Sequence, residues 1–396
     1  MQLMRDLIFV SMENWDEIWR RNQFVVAELA RRHPENKILF VGLPRNVSHD
    51  LRHGRLRALV EPAAWSPAGL PNVTVTRPLK LLPDTLPTGR RINQWMARRH
   101  VRRAARQLAL REPVLWLNPH SAVHMAGQMA ERAVVYDITD DWMTLSQSPR
   151  LQRLIRRQDA ALCRRADAVI VCSQRLFDLK RDMARKLHLI PNGVDAEHYR
   201  TVLEGSGPLP AEASGWPRPV LGYTGSIHPD RVDVGLVQSI AGRLNAGSIV
   251  LIGPRFLPEE DLARLQSCAN VFLTGPVSYR DVPSYMRGFD VCITPHRMTP
   301  FTESLNPIKL WEYLAAGKPI VSTDVAGFRD YPRFVRIARD AEGFVQAVRE
   351  ALREDRTLAE RRRREARLHS WHVRVDQIEA VFHECLRRPA GEMAHA

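Results

Sequence analysis

The sequence predicts an α/β protein made of two doubly wound units, and three observations carry that expectation. The chain has 396 residues, roughly 2.6 times a typical domain of about 150, so two substantial units fit better than one. Short apolar runs alternate with longer amphipathic segments, the pattern of strand-helix-strand units around parallel sheets. Between two such series lies the stretch 203–218, loose and rich in Gly, Pro and Ser, which reads as a linker.

In the first series, Leu7 to Ser11 reads as a strand, Asp16 to Arg32 as a helix and Lys37 to Val41 as a second strand. Residues 42–90 read mostly as long connections, with a strand near Val73 to Val75. A helix from about Arg91 to Leu110 follows, then strands Val114 to Leu117 and Val134 to Ile138, a basic helix Arg150 to Arg165, and the strand Ala168 to Cys172. A strand and an Asn-Gly turn in Leu189-Ile-Pro-Asn-Gly-Val-Asp195 close the series.

The second series begins at Pro219 to Gly225. It continues through helix Val232 to Leu244, strand Ser248 to Ile252, helix Pro258 to Cys268 and strand Val271 to Leu273. Helix Val282 to Gly288, strand Val291 to Thr294, helix Pro307 to Ala316 and strand Pro319 to Ser322 complete it. The tail from Ala341 to Leu386 is helical by pattern and contains Arg361 to Arg364. The resulting division is 1–202 and 219–369, with a helix of about 370–388 able to pack back on the first unit and 389–396 as a flexible tail. Sheets of this kind bind ligands beyond the carboxyl ends of their strands.

Composition narrows the class without choosing a function. Hydrophobic residues at 44% and charged residues at 26% exclude fibrous and disordered chains. The net charge of +14 points to a polyanion, an anionic membrane surface or phosphorylated substrates. Five scattered cysteines (Cys163, Cys172, Cys268, Cys292 and Cys385), never in a Cys-x-x-Cys spacing, suggest a reducing cytosol and neither a disulfide framework nor a zinc site. No signal peptide is expected at Met1 to Val10, and no run of about 18 apolar residues suggests a membrane span.

The most informative stretch is Glu303-Ser-Leu-Asn-Pro-Ile-Lys-Leu-Trp-Glu-Tyr-Leu-Ala-Ala-Gly-Lys-Pro-Ile-Val321. It sets a polar loop at a helix N-terminus, where free N–H groups suit a phosphate or a sugar hydroxyl. Lys309 and Glu312 share one helical face, placed for a diphosphate and for vicinal hydroxyls, or simply as a surface pair. This stretch, with Ile190 to Asp195, Gly222 to Ile227, Phe289 to Pro295 and Ser370-Trp371, resembles the GT-B glycosyltransferases, particularly the family 4-like and teichuronic-acid-type group.

The resemblance implies two Rossmann-like domains facing each other across a cleft, with a nucleotide diphosphate sugar, UDP- or GDP-linked, as donor and no cofactor or metal. Glu312 matches the family's ribose-binding Glu. The family's sugar-binding Glu falls on Ser304, leaving its role to Glu303 or Asn306. The diphosphate cations fall near Ser226 and Arg231, with Lys309 supplying a second charge. Gly275 resembles the base-binding loop, and Gly225, Ser226 and Gly253-Pro-Arg255 are further candidates for donor contact, or ordinary turns.

In the first unit, Asp140 and Asp141 stand after a strand, where a carboxylate can take the acceptor proton or cap a helix. Glu13, Trp15 and Arg21 occupy the first strand-to-helix loop, a location suited to an acceptor, although Trp15 and Trp19 are also spaced as packing residues. The basic segments Arg98 to Arg111 and Arg150 to Arg165 suit an anionic membrane or solvated helix faces.

The expected function is transfer of a sugar to a saccharide or lipid-linked saccharide acceptor hydroxyl in surface polysaccharide or glycolipid biosynthesis, with retention. The expected place is the cytoplasm, peripheral on the inner face of the membrane. A sugar-nucleotide 2-epimerase of the same fold, or a non-catalytic nucleotide-sugar or nucleic-acid binder, are the alternatives. No stacking platform or groove-reading element favours nucleic acid.

Overall fold

A computed structural model describes residues 5–46, 64–84, 86–144, 148–355 and 357–387. The chain divides into two compact units, 1–190 with 375–396, and 191–374. Positions 389–396, expected as a flexible tail, lie outside the described residues.

The first unit is built on one sheet in the order Leu187–Leu189, Ala168–Val171, Ala133–Ile138, Val114–Leu117, Leu7–Val10, Ile38–Val41, Val73–Thr76, Ala64–Trp65. Every pairing is parallel except the last. The central strands are buried along their whole length, as unbroken apolar runs covered on both faces should be. Ile8, Leu39, Leu115 and Val169 pack beneath Val101, Leu162 and Leu176 of the helices. Phe9 stacks on Phe40 at 5.6 Å, and Trp116 meets both Phe9 and Phe382 of the C-terminal helix.

The first helix is shorter than its periodicity suggests, running Arg21–Arg32. The Asp16 carboxylate takes the Ile18 N–H at 3.0 Å, and Gln23 accepts the Arg20 N–H at 3.1 Å. These local side-chain bonds hold 16–20 out of the helix. The next helix begins earlier than expected, at Pro87, because proline at the first helical position fits its fixed φ.

The second unit has a six-stranded parallel sheet in the order Val271–Gly275, Ser248–Ile252, Val220–Thr224, Val291–Thr294, Ile320–Thr323, Val335–Ala338. Strand order reverses between Val220–Thr224 and Val291–Thr294, which makes that junction the place for a ligand. Val335–Ala338 was not anticipated, since its pattern is interrupted by Arg336. Arg362, inside the run Arg361 to Arg364, is fully buried and holds Glu354 at 2.9 Å, so the run is not a uniformly solvated face.

The expected linker 203–218 is corrected by the packing. Its start lies in the short helix Arg200–Glu204, ended by Gly205 at φ +66, and its end includes a 3-10 turn at Ala211–Gly215. Val202 and Trp216 enter the core of the second unit beside Met286 and Phe289. Burial of Trp216 within it and of Val202 just before it ties the stretch to one unit, and its Gly and Pro serve as turn residues. The division falls instead at Ile190/Pro191 and again inside the helix Trp371–Leu386, which belongs to the first unit from Val375 onward. Arg32 anchors that portion through Asp376 at 2.7 Å and Glu379 at 2.9 Å. Among the described residues no helix is long and apolar enough to cross a membrane.

Candidate functional site

Three neighbouring strands of the second unit end in glycine at the same edge. Gly225, Gly253 and Gly275 have φ of +125, +144 and +85. The Gly225 N–H donates to the Ile252 carbonyl at 2.7 Å, and the Gly253 N–H to the Gly275 carbonyl at 2.8 Å. A Cβ on Gly253 would lie 2.1 Å from the Gly225 carbonyl oxygen, and one on Gly225 would lie 2.4 Å from Lys309 Nζ. Glycine is required at Gly225 and Gly253 by conformation and by close approach together, and at Gly275 by conformation alone. Gly222 has a different task, because the Phe289 ring lies directly across it in the core.

The helix Ile308–Ala315 places Lys309 and Glu312 beside this edge. Tyr313, on its buried face, accepts the Thr224 N–H at 3.0 Å and so ties the helix to the strand end. Lys309 Nζ lies 5.1 Å from the centroid of the Tyr223 ring, and the Arg231 guanidinium 5.5 Å from that of Phe301. Burial and the neighbouring Arg231 bring Lys309 down to about 8, against the pull of Glu312. His296, enclosed beside the Tyr223 hydroxyl at 3.3 Å, is held well below the usual histidine range by burial and by Lys309 and Arg231. Two neighbouring cations and a neutral imidazole make a cluster that an anion would relieve.

Glu312 is raised by burial, against the opposing influence of Lys309 and the Tyr199 hydroxyl. Tyr199 is fully enclosed. Tyr279, whose phenol is raised by burial and by Asp195 and Glu312, completes this wall, and His198 stacks on it at 4.0 Å. Tyr199, Tyr223, Tyr279, Tyr313, His198 and His296 carried no spacing signal that marked them for the site. Their proximity arises from separate loops, a strand and the helix Ile308–Ala315.

Residues 218–354 match the family Glycosyl transferases group 1. The chain is also 29% identical over 276 residues to a Bacillus subtilis (strain 168) protein named as a teichuronic acid biosynthesis glycosyltransferase, TuaH. That alignment spans 62% of this chain and 65% of the relative. Among solved structures, sucrose-phosphate synthase from Thermosynechococcus elongatus matches with a TM-score of 0.71 and 16% identity, covering 96% of this chain and 98% of that one. Anabaena Alr3699/HepE in complex with UDP-glucose matches at 0.68 and 14%, covering 96% and 99%. The α,α-trehalose 6-phosphate synthase of Burkholderia multivorans matches at 0.66 and 15%, covering 97% and 98%. The fold is GT-B, two doubly wound α/β units in one chain.

Within the group 1 glycosyl transferase segment, the loop ahead of the helix is tied more tightly than the sequence suggests. The Glu303 carboxylate is held by Arg329 at 2.6 Å and would have to leave it to serve a sugar. Ser304 is buried, its hydroxyl donating to the Phe301 carbonyl at 2.7 Å. Asn306 accepts the Asn192 N–H at 2.8 Å through its side chain, which fixes the loop to the turn 190–195. Ser226 offers its carbonyl to Tyr223 at 3.0 Å, and Arg255 is exposed after a bridge between Ile227 and Arg255.

The first-unit candidates separate sharply. Arg21 does not face an acceptor as expected: it is buried and grips Asp137 through two contacts of 3.1 and 3.3 Å. A guanidinium so enclosed needs a carboxylate, and Asp137, at the end of its strand, supplies it. Trp15 packs edge-on against Phe40 at 5.0 Å and Trp19 at 6.0 Å, so both rings cover the core. Glu13 lies 3.7 Å from Arg20, with its N–H on the Ser11 hydroxyl.

Neither Asp140 nor Asp141 caps the following helix, which Ser148 caps instead. Asp141 is buried, accepts the Met143 N–H at 3.2 Å and is raised chiefly by burial. Asp140 is half-buried, with the Thr139 hydroxyl at 3.5 Å. His120 contacts Gln158 at 3.0 Å, and His124 is brought to about 4 by burial and Arg98. Among the described residues no three His, Cys, Asp or Glu side chains gather as a metal site.

Proposed function

We propose that this chain is a glycosyltransferase that moves a sugar from a nucleotide diphosphate sugar to an acceptor hydroxyl, with retention and without a metal. The observation that carries this reading is the meeting of Lys309 and Arg231 beside the glycine-ended strands, with Glu312 on the same helical face. Lys309 and Arg231 would bind the diphosphate and hold its charge as it leaves. Glu312 would accept from the ribose hydroxyls, buttressed by Tyr199, and backbone beside Gly275 would meet the base.

In the reaction, the bond from the anomeric carbon to the diphosphate oxygen breaks while the acceptor oxygen bonds to that carbon on the same face. The acceptor proton passes to the departing diphosphate, so no carboxylate nucleophile is needed. If configuration inverts instead, Asp140 is the better placed base, since Asp141 is enclosed.

The relatives support the donor and the setting. The Anabaena protein is described with UDP-glucose and the Bacillus protein by teichuronic acid biosynthesis. The proposed donor is therefore UDP-linked, and the proposed acceptor a saccharide or lipid-linked saccharide of surface polysaccharide assembly, met in the cytoplasm at the membrane. Incubation with labelled UDP- and GDP-sugars tests the reading: transfer or slow donor hydrolysis supports it, inversion at C2 would give the epimerase, and no turnover with retained binding would give a non-catalytic binder.

A further inference from the structure

The first unit carries an apolar patch that sugar transfer leaves unused. Leu79, Leu81, Leu82, Leu86, Ile92 and Trp95 are all exposed large hydrophobic residues, Leu86 at 57% and Trp95 at 55%. They lie on the short strand Leu79–Lys80, on the loop after it and on the first turns of the helix Pro87–Gln107. Scattered exposed apolar residues are ordinary, but a contiguous set is not.

The loop is held in this state by a single buried amide. Asn93 accepts the N–H groups of Leu81 and Leu82, each at 3.2 Å, and donates to the Leu82 carbonyl at 2.7 Å and to Asp84 at 2.8 Å. Lys80 pairs with the same Asp84. The backbone is therefore satisfied inward while both leucines stand outward.

The helix continues the pattern. Its buried seam is Gly89, Asn93, Ala97 and Val101. On the other side, at steps of three and four, come Ile92, Trp95, Arg99, Arg103 and Arg106. The Arg99 guanidinium lies 5.8 Å from the centroid of the Trp95 ring. One stripe thus begins apolar and aromatic and ends cationic, and the helix contains no Asp or Glu.

We infer that this loop and helix face form an interfacial anchor that seats the first unit on an anionic bilayer. Leu81, Leu82, Leu86, Ile92 and Trp95 enter the boundary between headgroups and acyl chains, and Arg99, Arg103 and Arg106 meet lipid phosphates. A bilayer fits this surface better than a protein does, because Lys80 offsets the loop's one carboxylate, Asp84, the charge along the helix stripe is all cationic, and the whole chain carries +14. The placement goes beyond the proposed reaction; its link to that reading is only that a lipid-linked acceptor would be met at the same surface.

Vesicles of phosphatidylglycerol in phosphatidylcholine, with and without brominated acyl chains, test it on the full chain. The expected result is sedimentation with the vesicles that survives in part at high salt, since screening weakens only the arginine contribution. Brominated chains should quench a fluorescence component that Trp95→Phe lacks. Leu82→Asp combined with Leu86→Asp should lower vesicle affinity about tenfold or more at any salt, with circular dichroism unchanged. Arg99→Gln, Arg103→Gln and Arg106→Gln together should lower it only at low salt.

Donor hydrolysis in solution should be the same in all these variants, so failure of the anchor and failure of the transfer reading are read separately. Complete release by salt, quenching unaltered in Trp95→Phe, or wild-type binding by the leucine variant would overturn the anchor. So would self-association without vesicles that the leucine variant abolishes, which would give the patch to a second copy of this chain.

Discussion

Lys309 and Glu312 make opposite electrostatic demands within one helical turn, and this makes them testable apart. Glu312→Ala should weaken nucleoside diphosphate binding by about 1.5–3 kcal/mol for each ribose bond lost, read by titration calorimetry on a folded variant. Lys309→Ala should harm the diphosphate far more than the free nucleoside; equal losses would place the lysine elsewhere. Because Lys309 titrates at about 8, diphosphate affinity should fall as the pH climbs through that value and the ammonium loses its proton. Folding responds in the reverse sense. The unfolded chain keeps that proton up to its ordinary 10.5, so stability should rise from about pH 8 towards 10.5 as the folded unit sheds it. Arg21 belongs to another kind of pair: Arg21→Ala strands Asp137 in the core and should cost about 3–5 kcal/mol in a urea titration.

Strand ends and loops decide how those side chains are presented. Gly253→Ala would drive a Cβ into the Gly225 carbonyl at 2.1 Å, whereas Gly275→Ala meets nothing within 4 Å and suffers only its positive φ. The first should therefore lower both stability and nucleotide binding, and the second should cost about 1 kcal/mol, as thermal melts with and without UDP would reveal. Gly225→Ala should mimic Lys309→Ala in diphosphate affinity, because the added carbon takes the space of the ammonium. For the loop after Ala133–Ile138, Asp140→Asn should reduce turnover with donor affinity intact if the reaction needs a base. Asp141→Asn should mainly alter stability, because its carboxylate closes a turn on Met143. Full activity in the Asp140 variant would remove this loop from catalysis.

Each unit buries its own core, so ligand effects should divide along the chain. Hydrogen exchange with saturating UDP should slow residues 220–225, 252–253, 274–275 and 308–313 and leave the sheet of the first unit unchanged; at about 100 times Kd the bound unit gains about 2.7 kcal/mol against opening. Protection confined to the first unit would remove the donor from the second. That there are two such units was legible in the alternation of apolar runs, though not where they divide; Val114–Leu117, Ser248–Ile252 and Val291–Thr294 were legible to the residue, because a strand covered on both faces is an almost unbroken apolar run. The pairing of Lys309 with Glu312 on one face was legible for a similarly local reason, since helical spacing alone brings them together.

Contacts between distant segments were not legible in that way. Trp216 turns an expected linker into part of a core, Arg21 answers to Asp137 rather than to an acceptor, Glu303 to Arg329, and Asn93 to a loop before its helix. Periodicity reports which way a side chain leaves its own backbone. It carries no record of which other element will stand opposite, and burial of a charge or an amide is settled by that partner. Apart from the edge strand Val335–Ala338, the strands and glycine-ended edge of the second unit follow from local pattern; the enclosed tyrosines behind Glu312 and the crowding of Arg231 against Lys309 follow from packing, where desolvation sets the chemistry.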